Sequence, residues 1–145
     1  GAAGIKAGSG EVKAYDCTRR IAREMRPEVA VMASGDEHLL ACFLIGSDGS
    51  AVSLAAVLPE LIVALDRRVR AGDFAKALEI HTVLFDFARL VYGAPGHMAA
   101  ARLKACLAEL GRIPDDACRA PTPAVSPGER AALMAALRPC LALAL

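Results

Sequence analysis

The sequence lacks several features that mark whole classes of protein. It has no tryptophan, and aromatic residues make up only 4% of its 145 residues. Its 17 lysines and arginines are nearly balanced by 16 acidic residues, so the formal net charge is +1. A nucleic-acid-binding domain would need a clustered basic face, and no apolar run reaches the length of a membrane span. We therefore expect neither nucleic acid nor a membrane among the partners of this chain.

The cysteines give no sign of a metal site or a disulfide framework. They are odd in number, widely spaced and without a CxxC pair: Cys17, Cys42, Cys106, Cys118 and Cys140. Structural zinc sites and secreted disulfide frameworks both require closer or paired spacings. We therefore expect free thiols, no bound metal and a cytoplasmic location.

The first half of the chain alternates between strand and helix patterns. Residues 29–33 (Val-Ala-Val-Met-Ala) are continuously apolar, which is typical of a strand buried on both faces of a parallel sheet. The predicted elements are a strand over 3–6, a helix over 9–25, a strand over 29–33, a helix over 37–45, a strand over 49–54 and a helix over 59–70. Residues 1–72 are therefore predicted to be a βαβαβα unit with parallel strands.

The second half, residues 73–145, is predicted to be helical. Apolar residues recur at helical spacing after Asp73, and glycine or proline residues separate the predicted helices 73–91, 98–110 and 126–137. The last of these is expected to end before Pro139, because proline cannot continue a helix interior without losing a hydrogen bond. We treat both halves as parts of one domain.

The chemistry-bearing residues follow the predicted strands. Functional groups of parallel α/β folds cluster at the carboxyl ends of the strands, which places Lys6, the 34–36 turn (Ser-Gly-Asp) and the 51–53 segment (Ala-Val-Ser) on one rim. A strand fixes the amine of Lys6, and partial burial would favour its neutral, nucleophilic form. Asp36 is expected to cap the next helix, and His38 is a candidate substrate contact beside it.

In this order and spacing, these motifs resemble the dihydrodipicolinate synthase and N-acetylneuraminate lyase family. Gly-Ile-Lys at 4–6 with Gly10 resembles the family's Schiff-base strand, and Ser-Gly-Asp at 34–36 resembles the turn after its next strand. Residues 46–59 resemble the following strand and loop, and Ala-Gly-Asp at 71–73 resembles a turn between later helices. The resemblance implies the fold class α/β, as the carboxyl-terminal part of a (β/α)8 TIM barrel (strands six to eight) with a carboxyl-terminal helical segment.

The resemblance also implies a reaction. Lys6 would form an imine with pyruvate or a related 2-oxo acid, and Gly35 and Ala51 would lie beside the pyruvyl group. The imine is itself the electron sink, so no cofactor is implied. Ala56 stands where the family often has asparagine, and Ala51 where it often has isoleucine, so the substrate beyond a 2-oxo acid stays open. Dihydrodipicolinate synthase and 4-hydroxy-2-oxoglutarate aldolase are the specific candidates.

Two other readings remain. The Gly-Ser-Gly turn at 8–10 precedes a helix and could bind an anion, and the chain could be a noncatalytic half-barrel. A complete barrel needs roughly 250 residues, so we expect a truncated chain with little turnover alone. Its unpaired strand edges predict a homo-oligomer or association with a complementary amino-terminal half.

Overall fold

The computed structural model describes residues 1–144. This part of the chain contains two short strands and six α-helices. The strands are β1 (Gly4–Lys6) and β2 (Ala30–Met32). The helices are α1 (Val12–Met25), α2 (Leu39–Ile45), α3 (Pro59–Arg70), α4 (Phe74–Tyr92), α5 (Ala99–Glu109) and α6 (Pro127–Ala144). Short 3-10 helices lie at Asp36–His38, Ser53–Ala56 and Gly96–Met98.

The first βαβ unit has the predicted order. The two strands pair in parallel with Lys6 opposite Met32, and α1 connects them. Proline at position 27 follows the last turn of α1, where a helix cannot continue. The Tyr15 hydroxyl, on α1, donates a hydrogen bond to the Val31 carbonyl at 3.0 Å. Val31 itself is fully buried, so α1 packs directly on the sheet.

The predicted strand over 49–54 is wrong. Its start forms a single parallel bridge, Ala33 to Ser50, and its end turns into the 3-10 helix Ser53–Ala56. The chain turns there because the Leu54 amide donates to the Asp36 carboxylate at 2.7 Å instead of to a neighbouring strand. Even so, this third extended segment lies beside β2, as the βαβ pattern requires.

One predicted boundary in the helical half is wrong. The Asp73 side chain caps α4 by accepting from the Lys76 amide at 3.3 Å, as expected. The last helix, however, does not stop before Pro139 but continues to Ala144. Leu137 and Cys140 have no exposed surface, so burial on this face outweighs the local cost of the proline.

Helix α4 is the centre of the molecule. It packs against both α3 and α6, and it also contacts α2 and α5. Its buried residues join those of the sheet and the other helices in one continuous hydrophobic core. Within residues 1–144, no helix combines the length and apolarity that a membrane span needs. The core therefore fixes the carboxyl end of α4 relative to the sheet.

Candidate functional site

A cavity of about 320 Å³ opens at the carboxyl ends of the three extended segments. Its walls come from the turn after β1, the turn after β2, the segment after Ser50 and the end of α4. The lining residues are Lys6, Gly8, Ser9, Gly10, Ser34, Gly35, Asp36, Glu37, Ser53 and Tyr92. The volume is at the lower end of the range for small-molecule sites, so the cavity suits a small ligand.

Lys6 is the one lysine that lines this cavity in the described part of the chain. It is exposed, and so is every residue of β1, contrary to the expected partial burial. The reason is that β1 pairs with β2 along one edge and has no other strand neighbour within residues 1–144. Lys6 is therefore held by the strand backbone rather than enclosed by side chains.

Two glycine turns meet beneath the cavity. Gly35 has a φ of 87°, a backbone conformation that favours glycine. A Cβ atom there would lie 2.9 Å from the carbonyl oxygen of Gly10, so the close approach also excludes a side chain. The Ser34 hydroxyl donates to the Ala7 carbonyl and ties the ends of β1 and β2 together. These contacts close one side of the cavity largely with backbone atoms.

Asp36 does not cap the following helix as expected. Its own 3-10 helix, Asp36–His38, has no side-chain cap hydrogen bond, and Gly35 precedes it. The carboxylate instead accepts from the Leu54 amide on the neighbouring segment, and the residue is 9% exposed. Asp36 thus joins the second and third segments of the rim and places negative charge at the cavity wall.

Tyr92, at the end of α4, lines the same cavity beside Asp36 and Ser53. Its hydroxyl is buried beside the Ser53 hydroxyl and the Asp36 carboxylate. Burial raises the pKa of Tyr92, the nearby Asp36 charge raises it further, and a hydrogen bond with Ser53 offsets this only in part. The phenol is therefore neutral at neutral pH.

A buried arginine holds the backbone around Tyr92. Arg102, on α5, is 3% exposed and donates to the Val91 carbonyl at 2.9 Å and the Gly93 carbonyl at 2.6 Å. Its Nε donates to the Glu129 carboxylate, on α6, at 2.7 Å. The sequence motifs predict no role for Arg102 beyond its place in a carboxyl-terminal helix. A charged residue within the alanine-rich stretch 99–108 was the available signal, because burying arginine requires several acceptors.

Two of the four predicted site residues line this cavity and two do not. Lys6 and Gly35 are among its walls. Ala51 is exposed outside it, where its amide donates to the Ala33 carbonyl at 3.0 Å. His38 is also exposed and faces α4: burial lowers the pKa of His81, and the charge of His38 lowers it further. Ala51 and His38 stay predictions as substrate contacts.

The walls of the cavity carry several polar and charged side chains. No cluster of three or more metal-ligating side chains occurs in residues 1–144. One amine, two carboxylates and several hydroxyls face the cavity instead. All five cysteines are free thiols, and none lines the cavity.

Comparison with known proteins settles the family. The model of the dihydrodipicolinate synthetase family matches residues 1–139. The chain belongs to that family. A curated relative, 4-hydroxy-tetrahydrodipicolinate synthase of Sorangium cellulosum, is 32% identical over 109 residues, covering 75% of this chain and 34% of the relative. A second, a probable 2-dehydro-3-deoxy-D-pentonate aldolase of Escherichia coli, is 37% identical over 62 residues, covering 43% and 21%.

Solved structures of the family share the fold. YagE of Escherichia coli, a prophage protein of the dihydrodipicolinic acid synthase family solved with pyruvate, superimposes with a TM-score of 0.81 at 23% identity. The match covers 95% of this chain and 46% of YagE. This chain thus has the α/β fold and the helical carboxyl-terminal region of its relatives. It spans about a third or less of the length of the two curated proteins.

Proposed function

We propose that this chain carries the imine-forming part of a pyruvate-dependent lyase or aldolase of the dihydrodipicolinate synthetase family. The observation that supports this most is the position of Lys6 at the carboxyl end of β1, on the wall of a polar cavity. Relatives named as a synthase and an aldolase, and a family structure with pyruvate, agree with that class. We further propose that the chain corresponds to strands six to eight and the helices that follow.

The proposed reaction begins at the Lys6 amine. Its nitrogen attacks the ketone carbon of pyruvate, the carbinolamine loses water, and a protonated imine results. That imine accepts the electron pair released when the neighbouring carbon loses a proton or when a carbon–carbon bond breaks. Hydrolysis returns the free amine and the 2-oxo acid. Aldol addition, aldol cleavage and dehydration all pass through this intermediate, so the direction of the reaction is a separate question.

The cavity supports assigned roles for the residues around Lys6. Gly35 would let the backbone approach the pyruvyl group, because it has no side chain to occupy that part of the cavity. Asp36 and Glu37 lie on the same wall, so the cavity is not lined by basic groups alone.

An exposed apolar surface supports association with another chain. Ile21 and Met25 of α1 are 58% and 72% exposed, and Ile5 of the unpaired β1 edge is 38% exposed beside them. A second copy or a complementary amino-terminal half would cover this surface and the strand edge together. Light scattering tests this: a dimer or larger species is expected, and a monodisperse monomer would contradict it. The proposal also includes a partial barrel over residues 1–72, a helical segment over 73–145 and a cytoplasmic location.

The test of the proposed function is covalent trapping. Incubation with pyruvate and borohydride should leave a reduced pyruvyl adduct on Lys6, located by peptide mass spectrometry. Lys6→Ala is the negative control, and Lys104→Ala is the matched control, because Lys104 lies on α5 outside the cavity. An adduct equally distributed over surface lysines would argue against the proposal.

A further inference from the structure

One end of the sheet is β1, which carries backbone groups without a partner strand. The Ala3 carbonyl and the Ala7 amide, at the two ends of β1, both form hydrogen bonds to β2. Backbone groups alternate in direction along a strand, so those of Gly4 and Lys6 face away from β2. Within residues 1–144, no strand pairs with this side of β1, which we call the β1 edge.

The other end of the sheet is the third extended segment, around Ser50. The Ala33 amide donates to the Gly49 carbonyl at 2.9 Å, and the Ala51 amide donates to the Ala33 carbonyl at 3.0 Å. By the same alternation, the backbone groups of Ser50 face away from β2. They form no backbone hydrogen bond to another residue in the described range. We call this side of the segment the Ser50 edge.

The two edges run in the same direction. β1 and β2 are parallel, and the bridge from Ala33 to Ser50 is parallel too. A Ser50 edge placed beside a β1 edge therefore extends the sheet with the same kind of ladder. One molecule cannot join its own two edges here, because β2 lies between them. A second copy of the chain can supply both missing neighbours at once.

An apolar groove lies beside each edge. A groove of about 360 Å³ between β1 and α1 is lined by Ile21 and Met25. A groove of about 280 Å³ beside Ser50 is lined by Pro59 and Val63 of α3, and Val63 is 46% exposed. Right-handed crossovers place α1, α2 and α3 on one face of the sheet, and α2 contacts both of the others. Continuing the sheet into a second copy would bring α1 of one copy against α3 of the other.

We propose that two copies of this chain pair head to tail, with the β1 edge of each copy on the Ser50 edge of the other and α1 packed against the neighbouring α3. A two-fold axis makes this contact twice, which leaves neither edge unpaired. The pairing also encloses Lys6, which is exposed on the β1 edge. The segment around Ser50 of the second copy thus becomes a wall beside Lys6. The inference rests on the part of the proposed function that expects association with another chain, and it commits to a second copy as the occupant.

Sedimentation equilibrium of the 145-residue chain over a range of concentrations tests the pairing. Wild type should be a dimer. Ile21→Glu on α1 and Val63→Glu on α3 each place a charge in both contacts of a pair, so each should raise the dissociation constant at least about tenfold. Leu78→Glu is the matched control, because Leu78 is 56% exposed on α4 and lines neither groove. Circular dichroism checks that all three variants fold.

Two results would overturn the inference at this stage. One is dissociation of the dimer by Leu78→Glu while Ile21→Glu and Val63→Glu dimerise like wild type. The other is wild-type chain that stays monomeric at every concentration, which would favour a complementary amino-terminal half as the occupant.

Mixing the variants distinguishes head-to-tail pairing from a contact between like faces. In a mixed pair of Ile21→Glu and Val63→Glu, one contact carries both substitutions and the other carries none. The mixture should therefore dimerise more tightly than either variant alone. If α1 packed on α1 instead, Val63→Glu alone would dimerise like wild type, and that result would overturn the inference.

Lysine labelling without pyruvate tests the enclosure of Lys6. Acetylation of Lys6 by acetic anhydride should slow severalfold as the dimer forms. Lys76, on α4 and 42% exposed, should react at the same rate at every protein concentration. An unchanged rate at Lys6 in a chain that sediments as a dimer would overturn the head-to-tail arrangement.

The pairing and the imine chemistry fail in different ways. A head-to-tail dimer that gives no pyruvyl adduct on Lys6 would refute the imine chemistry alone. A monomer that gives the adduct would refute the pairing and leave the imine chemistry in place.

Discussion

Replacing Arg102 should unfold the junction between the cavity and the carboxyl-terminal helices. Arg102 is nearly fully buried and joins the carbonyls of Val91 and Gly93 to the carboxylate of Glu129. Arg102→Ala leaves those acceptors without their shared donor and opens a gap between α4, α5 and α6. Removing one partner of a buried, hydrogen-bonded ion pair costs about 3–5 kcal/mol.

The expected loss is large for a single domain. At about 2–4 °C per kcal/mol for a chain of this size, it lowers the melting temperature by roughly 6–20 °C. Arg102→Lys keeps the charge but not the fork that reaches several acceptors, so it should lie between alanine and wild type. It also provides a measurable variant if the alanine form does not fold.

An exposed ion pair supplies the control. Arg68 contacts Asp73 at 3.1 Å, but the two side chains are 50% and 40% exposed. Arg68→Ala should therefore cost less than about 1 kcal/mol. Urea unfolding followed by circular dichroism measures all three variants. A loss for Arg102→Ala no larger than that for Arg68→Ala would refute the view that this buried arginine fixes the end of α4.

Two further predictions concern the sheet and its rim. Burial raises the pKa of Asp48, but hydrogen bonds from the Val31 amide and Arg23 outweigh it and hold the pKa below its usual value. These hydrogen bonds to the ionised carboxylate therefore stabilise the folded state above the unfolded pKa of about 3.9. Their contribution is lost as the pH falls through the lower pKa of the folded state. In urea unfolding at several pH values, the free energy of unfolding of Asp48→Asn should fall less steeply with acid than that of wild type. Parallel curves for the two proteins would contradict this prediction. Gly35→Ala should cost about 1–2 kcal/mol because of its positive φ, with an additional backbone clash. The matched control is Gly8→Ala, which has no atom within 4 Å of the added carbon and should cost less than about 0.5 kcal/mol. Equal losses of stability in the two variants would refute the close approach of Gly35 to Gly10.

Local patterns predicted the elements that have strong boundaries. The apolar run around Val31 predicted β2, and the predicted end of the first helix at residue 25 is correct, because both signals depend on neighbouring residues. The strand over 49–54 and the end of the last helix were wrong. Both were decided by distant contacts, namely the Asp36 carboxylate on Leu54 and the burial of the last helix beyond Pro139.

The candidate site was predicted only in part, for a related reason. Lys6 and Gly35 follow strands, and their place on the rim follows from the topology of parallel sheets. Tyr92 lies far along the chain at the end of a helix, and only the packing of α4 brings it to the same cavity. The burial of Arg102 likewise depends on carbonyls and a carboxylate from three different elements.

The most direct test of the account is the identity of the lysine that pyruvate modifies. Peptide mass spectrometry after incubation with pyruvate and borohydride should find a reduced pyruvyl adduct on Lys6, and none at that position in Lys6→Ala. Absence of the adduct from the wild-type chain at saturating pyruvate would contradict the proposal that this cavity forms an imine.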